Sequence, residues 1–256
     1  MMTERSIFSK AVVELSAHAN TQSGSQPIRA VLFDLDGTLI DSVPDLASAI
    51  DEMLRSIGHA PAGEIKVNRW VGNGAAALVK RALADDDHGD GVHLTQYPNE
   101  YDDETYTSAY AIFERAYTER LTAATGLYDG VLSVLSALAT GNIMLGLITN
   151  KPRRFTVPLL QALGIDHYFA DVLCGDDLEF KKPHPLPVLT ALDNLSVNAE
   201  QAIMVGDSIS DIKSATAAGV KTVAVTYGYN HGMSITDARN DCQADIYIDQ
   251  ITQLLA

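Results

Sequence analysis

Two cysteines, Cys174 and Cys242, are all the thiol chemistry in this chain of 256 residues. They stand far apart and outside any CxxC spacing, which excludes a disulfide framework and a cysteine-built zinc site. Basic residues are also scarce. Eighteen Lys and Arg face 33 Asp and Glu, a formal charge of -15. That balance argues against nucleic acid or an anionic membrane surface as a partner, since both attract clustered cations. No apolar run approaches the ~20 residues that cross a bilayer. The first 27 residues include Glu4, Lys10 and Glu14 and lack the unbroken apolar stretch of a secretory signal. A cytoplasmic location is expected, and the oligomeric state is left open.

Apolar side chains are not scarce. At 46% hydrophobic and 20% charged residues, the chain can bury a real core. Its acidity is concentrated. Residues 85–104, "DDDHGDGVHLTQYPNEYDDE", hold eight acids and no Lys or Arg, and read as a solvated loop or helix face rather than a metal site. The stretch "NTQSGSQP" (20–27) reads as a flexible lead-in, making 1–27 a flexible N-terminal extension.

From residue 128 onward the pattern alternates. Helices are expected at 131–140, 155–163, 185–195 and 209–218. Strands are expected at 143–149, 171–175, 202–206, 222–228 and 244–248. Strands separated by helices require crossover connections, hence a mainly parallel sheet with helices on both faces. "AVLF" (30–33) belongs to the same sheet by composition. Between it and residue 128 no convincing strand appears, and 45–58, 65–83 and 104–121 read as helical. The "VGNG" at 71–74 reads as a helix-terminating turn. The expected fold is α/β: a Rossmann-like, doubly wound core (28–44 and 126–256) with a helical cap domain (45–125) inserted after the first strand.

In open parallel sheets, ligands sit beyond the carboxyl ends of the strands. Polar residues cluster at those ends here. The first strand runs into Asp34-Leu35-Asp36-Gly37-Thr38, a second into Thr149-Asn150-Lys151, and a third into "GDSISD" with Asp207 and Asp211. "KKPHP", with Lys181 and Lys182, precedes that third strand. Asp-Gly is an ordinary turn signal, yet two carboxylates so close repel each other unless a cation or shared proton intervenes. Three carboxylates without thiol or nearby His favour a hard cation, Mg²⁺ rather than Zn²⁺. A lysine and a hydroxyl beside it suit phosphate oxygens. One aspartate can then attack phosphorus while a second carboxyl moves the proton.

"DLDGT", "ITN", "KKPHP" and "GDSISD" resemble, in that order, the four motifs of the haloacid dehalogenase superfamily, phosphatase branch. The resemblance implies Asp34 as nucleophile and Asp36 as acid/base, its carbonyl also binding Mg²⁺. It implies Thr149 and Asn150 for phosphate positioning, Lys182 for charge neutralisation and Asp207 for the metal, with 45–125 as a mobile cap. Further likeness around "RWVGNGA" (69–75) and "TYGYNHG" (226–232) implies a small phosphorylated carboxylic acid as substrate, approached by the cap loop through Asn73. Arg69 and Lys80 are charge partners in reach of that loop. Another small phosphate ester, or a phosphosugar mutase of the same fold, stays open. Lys182 is preferred to Lys181 for its place before Pro183, and Asp211 reads either as a capping-box residue or as a metal contact.

Overall fold

The computed structural model describes residues 8–9, 27–85, 103–237 and 241–255. In chain order, β1 (Ala30–Phe33) and a short β2 (Ile40–Asp41) precede four helices. These are α1 (Val43–Ser56), α2 (Gly63–Trp70), α3 (Ala75–Ala84) and α4 (Asp103–Thr118). A short β3 (Gly126–Leu127) and α5 (Val131–Thr140) follow. The chain then alternates through β4 (Met144–Ile148), α6 (Arg153–Ala162), β5 (Asp171–Leu173), α7 (Leu186–Leu195), β6 (Ala202–Gly206), α8 (Ile209–Ala217), β7 (Lys221–Val225) and β8 (Ile246–Ile248). The sheet order is β5-β4-β1-β6-β7-β8, and every pairing is parallel. The expected doubly wound α/β fold is present.

The two-residue period of β1 explains why both sheet faces are covered. Val31 and Phe33 join α5 and α6 in one apolar cluster, with Leu135, Leu138 and Leu159. Ala30 and Leu32 join α7 in the opposite one, with Val188 and Leu192. Leu32 lies opposite Gly146 in β4, where an added Cβ would stand 2.8 Å from the Leu32 side chain. Only glycine leaves that space.

Helices α1–α4 bury a cluster of their own around Trp70, Ile50, Met53 and Phe113. Phe155 of α6 and Tyr229 reach into it from the sheet side. The helical stretch at 65–83 is two helices, broken where Gly72 and Gly74 take φ of +123° and +85°. Residues with a Cβ resist those angles. One expectation fails: the region after β1 is not free of strands. Ile40 pairs with Leu127 and Asp41 with Gly126 in an antiparallel ribbon. Strands of two residues carry no periodicity to read.

Asp45, in the first turn of α1, accepts hydrogen bonds from the Ala124 and Thr125 amides, at 2.9 and 2.7 Å to Oδ2. At the other end of the chain, Phe8 is buried in the sheet-side core and bridges Leu255. The rest of 1–26, and the acidic run from 86 to 102, lie outside the described residues. Among the described residues no helix is long and apolar enough to cross a membrane.

Candidate active site

Asp34 emerges where β1 ends, its amide still donating to Val205 of β6 at 2.9 Å. That last sheet bond aims the carboxyl into the core's polar end. Lys182 Nζ lies 2.7 Å from Asp34 Oδ1 and 2.6 Å from Asp211 Oδ1, and donates to the Ile148 carbonyl at 2.6 Å. Three donors meet three acceptors, so this ammonium is satisfied. Burial pulls the Lys182 pKa down, but Asp211 and Asp34 outweigh it and hold the group above its ordinary value. Lys182 is a permanent cation.

Asp207 follows β6 and packs beside Asp34. Its Oδ1 accepts from Thr38 Oγ1 at 3.1 Å and its Oδ2 from the Tyr229 amide at 2.7 Å. Backbone crowds it closely. A Cβ on Gly228 would lie 2.1 Å from the Asp207 Cβ, and one on Gly37 2.3 Å from Oδ2. Asp211 is the N3 residue of α8, and its Oδ2 takes the Ser208 amide and hydroxyl at 3.0 and 2.7 Å. With Oδ1 on Lys182, both its oxygens are engaged. The capping box fits this geometry.

Carboxylate oxygens of Asp34, Asp207 and Asp211 come within 4.8 Å of one another, all buried. Three acids stand against one lysine. Burial, then Asp211, push the Asp207 carboxyl up to about 7. Burial and the same neighbour, opposed by Lys182, raise Asp34 well above the usual carboxylate range. Such a cluster of hard oxygen donors with uncompensated charge fits a divalent cation. Asp34 and Asp207 are the members with fewer internal commitments.

Asp36 lies apart from this cluster and has a cation of its own. Lys151, the residue after Asn150, brings Nζ to 2.8 and 3.1 Å from the Asp36 oxygens, and Ser42 Oγ donates to Oδ1 at 2.5 Å. The same Nζ sits 5.0 Å from the Tyr117 ring centroid. Asp34, Asp36, Thr149, Asn150 and Lys151 line one narrow cavity of about 40 Å³, together with Leu46, Val71, Leu78, Phe113 and Phe155. That is room for about three waters. Asn150 Nδ2 donates to the Gly72 and Lys182 carbonyls at 3.0 Å each, so it ties the α2–α3 turn to the Lys182 loop. Its Oδ1 is buried without a partner.

Other candidates lie elsewhere. The Asn73 side chain accepts from buried Arg81 at 2.7 Å and is not among the cavity-lining residues; Gly72 and Gly74 present that turn to the cavity. Arg69 lines a separate wet groove with Tyr227 and Tyr229, and Lys80 packs over Tyr106. Neither reaches the cavity, because both project from the outward sides of their helices. Lys181 donates to the Asn73 carbonyl at 2.7 Å. His184 stacks on Phe180, while Cys174 and Trp70 are buried packing. The role of Lys151 carried only one signal in the sequence, a lysine at a strand's carboxyl end.

Residues 31–225 match the family model described as haloacid dehalogenase-like hydrolase. The chain belongs to that family, and its relatives and structural neighbours place it among the family's phosphatases. It is 43% identical over 219 residues to a phosphoglycolate phosphatase of Nitrosococcus oceani, covering 86% of this chain and 93% of that one. It is 46% identical over 228 residues to one of Pseudomonas putida, covering 89% and 78%. A crystal structure of a predicted phosphoglycolate phosphatase from Haemophilus somnus superposes with a TM-score of 0.78 at 35% identity, covering 89% and 96%. A β-phosphoglucomutase from Clostridium difficile shares the fold at a TM-score of 0.67 and 20% identity, covering 89% and 93%.

Proposed function

We propose that this hydrolase cleaves 2-phosphoglycolate to glycolate and phosphate by way of a phosphoryl group carried on Asp34. The observation that carries the reading is the convergence of two buried acid/lysine pairs, Asp34 with Lys182 and Asp36 with Lys151, at one narrow cavity. Names shared by the relatives at 43–46% identity supply the substrate. An oxygen of Asp34 attacks phosphorus as the ester bond breaks, and Asp36 gives its proton to the departing glycolate oxygen. Asp36 then takes a proton from water, which attacks phosphorus and releases Asp34 and phosphate. Lys182 opposes the burial and neighbouring acids that raise Asp34 and so favours its ionised form. The Thr149 hydroxyl seats the phosphoryl oxygens, and Asn150, its Nδ2 given to the Gly72 and Lys182 carbonyls, holds the loop around them. Mg²⁺ would fit the acid cluster, where Asp34, Asp207 and the Asp36 carbonyl would hold it. Bound there, it offsets the charge of phosphate and nucleophile. The helical segment 45–125, which holds most of α1 and all of α2–α4, acts as a cap over the core formed by 28–44 and 126–256.

Phosphate release should be measured on 2-phosphoglycolate, 3-phosphoglycerate, glucose 1-phosphate and an aryl phosphate. The cavity favours the smallest ester, and kcat/KM for 2-phosphoglycolate should lead by about tenfold or more, the scale of a few lost or clashing contacts. Chelation should stop all four. A preference for the sugar phosphate, or an isomerised sugar phosphate as product, would overturn the reading.

The acid cluster also sets a pH dependence. Asp207 and Asp34 bind a proton more tightly in the folded chain than in the unfolded one. Stability of the metal-free protein should therefore fall as pH rises from about 4 through about 7. Asp177 and Asp245, held below their usual value despite their burial by bonds to Arg153 and Lys221, act in the opposite sense, and only below that window. Melting curves in chelator should drop across the window, and Mg²⁺ should raise the midpoint more at pH 8 than at pH 5. An equal rise at both would contradict a cation held by these carboxylates.

A further inference from the structure

The two buried lysines of the site differ in what they have left to offer. Lys182 gives its three donors to Asp34, Asp211 and the Ile148 carbonyl and does not line the cavity. Lys151 does line it, and among the described residues it is the only cation that does. Its Nζ is held by the Asp36 carboxylate on one side and backed by the Tyr117 ring on another. Apart from its polar residues the cavity lining is apolar, with Leu46, Val71, Leu78 and Phe113 among it. A cation in such a lining needs an anion close by.

Asp36 cannot serve that need throughout a reaction. The oxygens that hold Lys151 are the oxygens required at the ester oxygen of a bound substrate. We propose that Lys151 reads the substrate's carboxylate. On binding, Nζ exchanges the Asp36 carboxylate for that of the ligand, and Asp36 is freed to turn to the ester oxygen. This rests on the phosphoglycolate reading above, and it makes an ester without a carboxylate a poor substrate because Asp36 stays tied to Lys151. The Tyr117 ring keeps Nζ in place through the exchange, since a cation over an aromatic face retains part of its stabilisation when its counter-ion moves.

Binding without turnover separates this role from any effect on proton transfer. The probes are 3-phosphonopropionate, which has a carboxylate and no cleavable ester, and propylphosphonate, which lacks the carboxylate. Both are titrated calorimetrically in Mg²⁺ against wild type and Lys151→Met. Wild type should bind the first tighter by about 10- to 100-fold, the scale of one charge-assisted contact. In Lys151→Met the two affinities should converge to within about threefold, with propylphosphonate little changed. Lys151→Gln, which leaves Asp36 a hydrogen-bond partner, carries the same expectation if the Met variant does not fold. A preference that survives in the folded variant overturns the assignment. So does an equal weakening of both probes, the mark of a purely structural lysine. Absence of any preference in wild type would instead sink the phosphoglycolate reading itself.

Discussion

Asp34→Asn is expected to reduce phosphate release on the order of 10⁵-fold, the scale seen when a nucleophile is removed and only binding and positioning remain. An amide oxygen has the shape of the carboxylate but not its charge, so it cannot attack phosphorus. The fold should not suffer. Asp34 sits beside Asp211 and Asp207 in a buried cluster that raises its pKa well above the usual range, so the charge is a burden on the metal-free protein. In chelator, Asn at this position should therefore melt at or above the wild-type temperature. Function and stability are opposed at such a residue. Acid-quenched wild type should carry phosphate on the chain, and the variant none. Retained turnover in a pure preparation of the variant would end the covalent mechanism.

Lys182→Met is expected to be costly in both respects. Among the described residues its ammonium is the only cation paired with these buried carboxylates, and its loss leaves Asp34 and Asp211 uncompensated. Breaking a buried pair from one side costs about 3–5 kcal/mol. For a chain of this size that corresponds to a midpoint lowered by roughly 6–20 °C. Asp34 would then take up a proton more readily and cease to be a nucleophile. Activity should fall steeply and recover in part as rising pH ionises Asp34 again. Thermal melts with kcat/KM across pH test this, and a midpoint within about 2 °C of wild type would show that the cluster does not depend on this lysine. The neighbouring lysine is the control. Lys181 donates to the Asn73 carbonyl and is exposed, so Lys181→Met should cost far less.

Much of this site could be read from residue order because the fold itself gathers strand ends. Asp34, Thr149, Asn150 and Asp207 lie at the carboxyl ends of β1, β4 and β6, three adjacent strands, and no contact need be known to bring them together. Lys182 was found by its place before Pro183. What stayed hidden depends on side-chain direction across long separations. The Lys151 bond to Asp36 spans 115 positions, and the Tyr229 amide reaches Asp207 only after the chain turns past β7. Asn73 shows the converse. The family resemblance implies a ligand contact there, whereas buried Arg81, invisible in an Ala-rich helix, engages the side chain. Gly37 reads as a turn former, whereas its close approach to Asp207, which Gly228 shares, is a matter of space.

The ribbon of β2 and β3 has a consequence for how the chain could be altered. Ile40 faces Leu127 and Asp41 faces Gly126, so the chain leaves the sheet and comes back at one spot. Asp45 fastens the two crossings together from the helical side. The chain therefore enters and leaves the helical segment at one spot, beside the contacts that Asn150, Lys181, Phe155 and Tyr229 make with it. Closely spaced ends make a segment exchangeable. A helical unit of another size, grafted between Asp41 and Gly126, would leave Asp34, Lys182 and Asp207 where they are while replacing the helical part of the cavity lining. In this architecture the reacting groups and the choice of ester can be inherited separately.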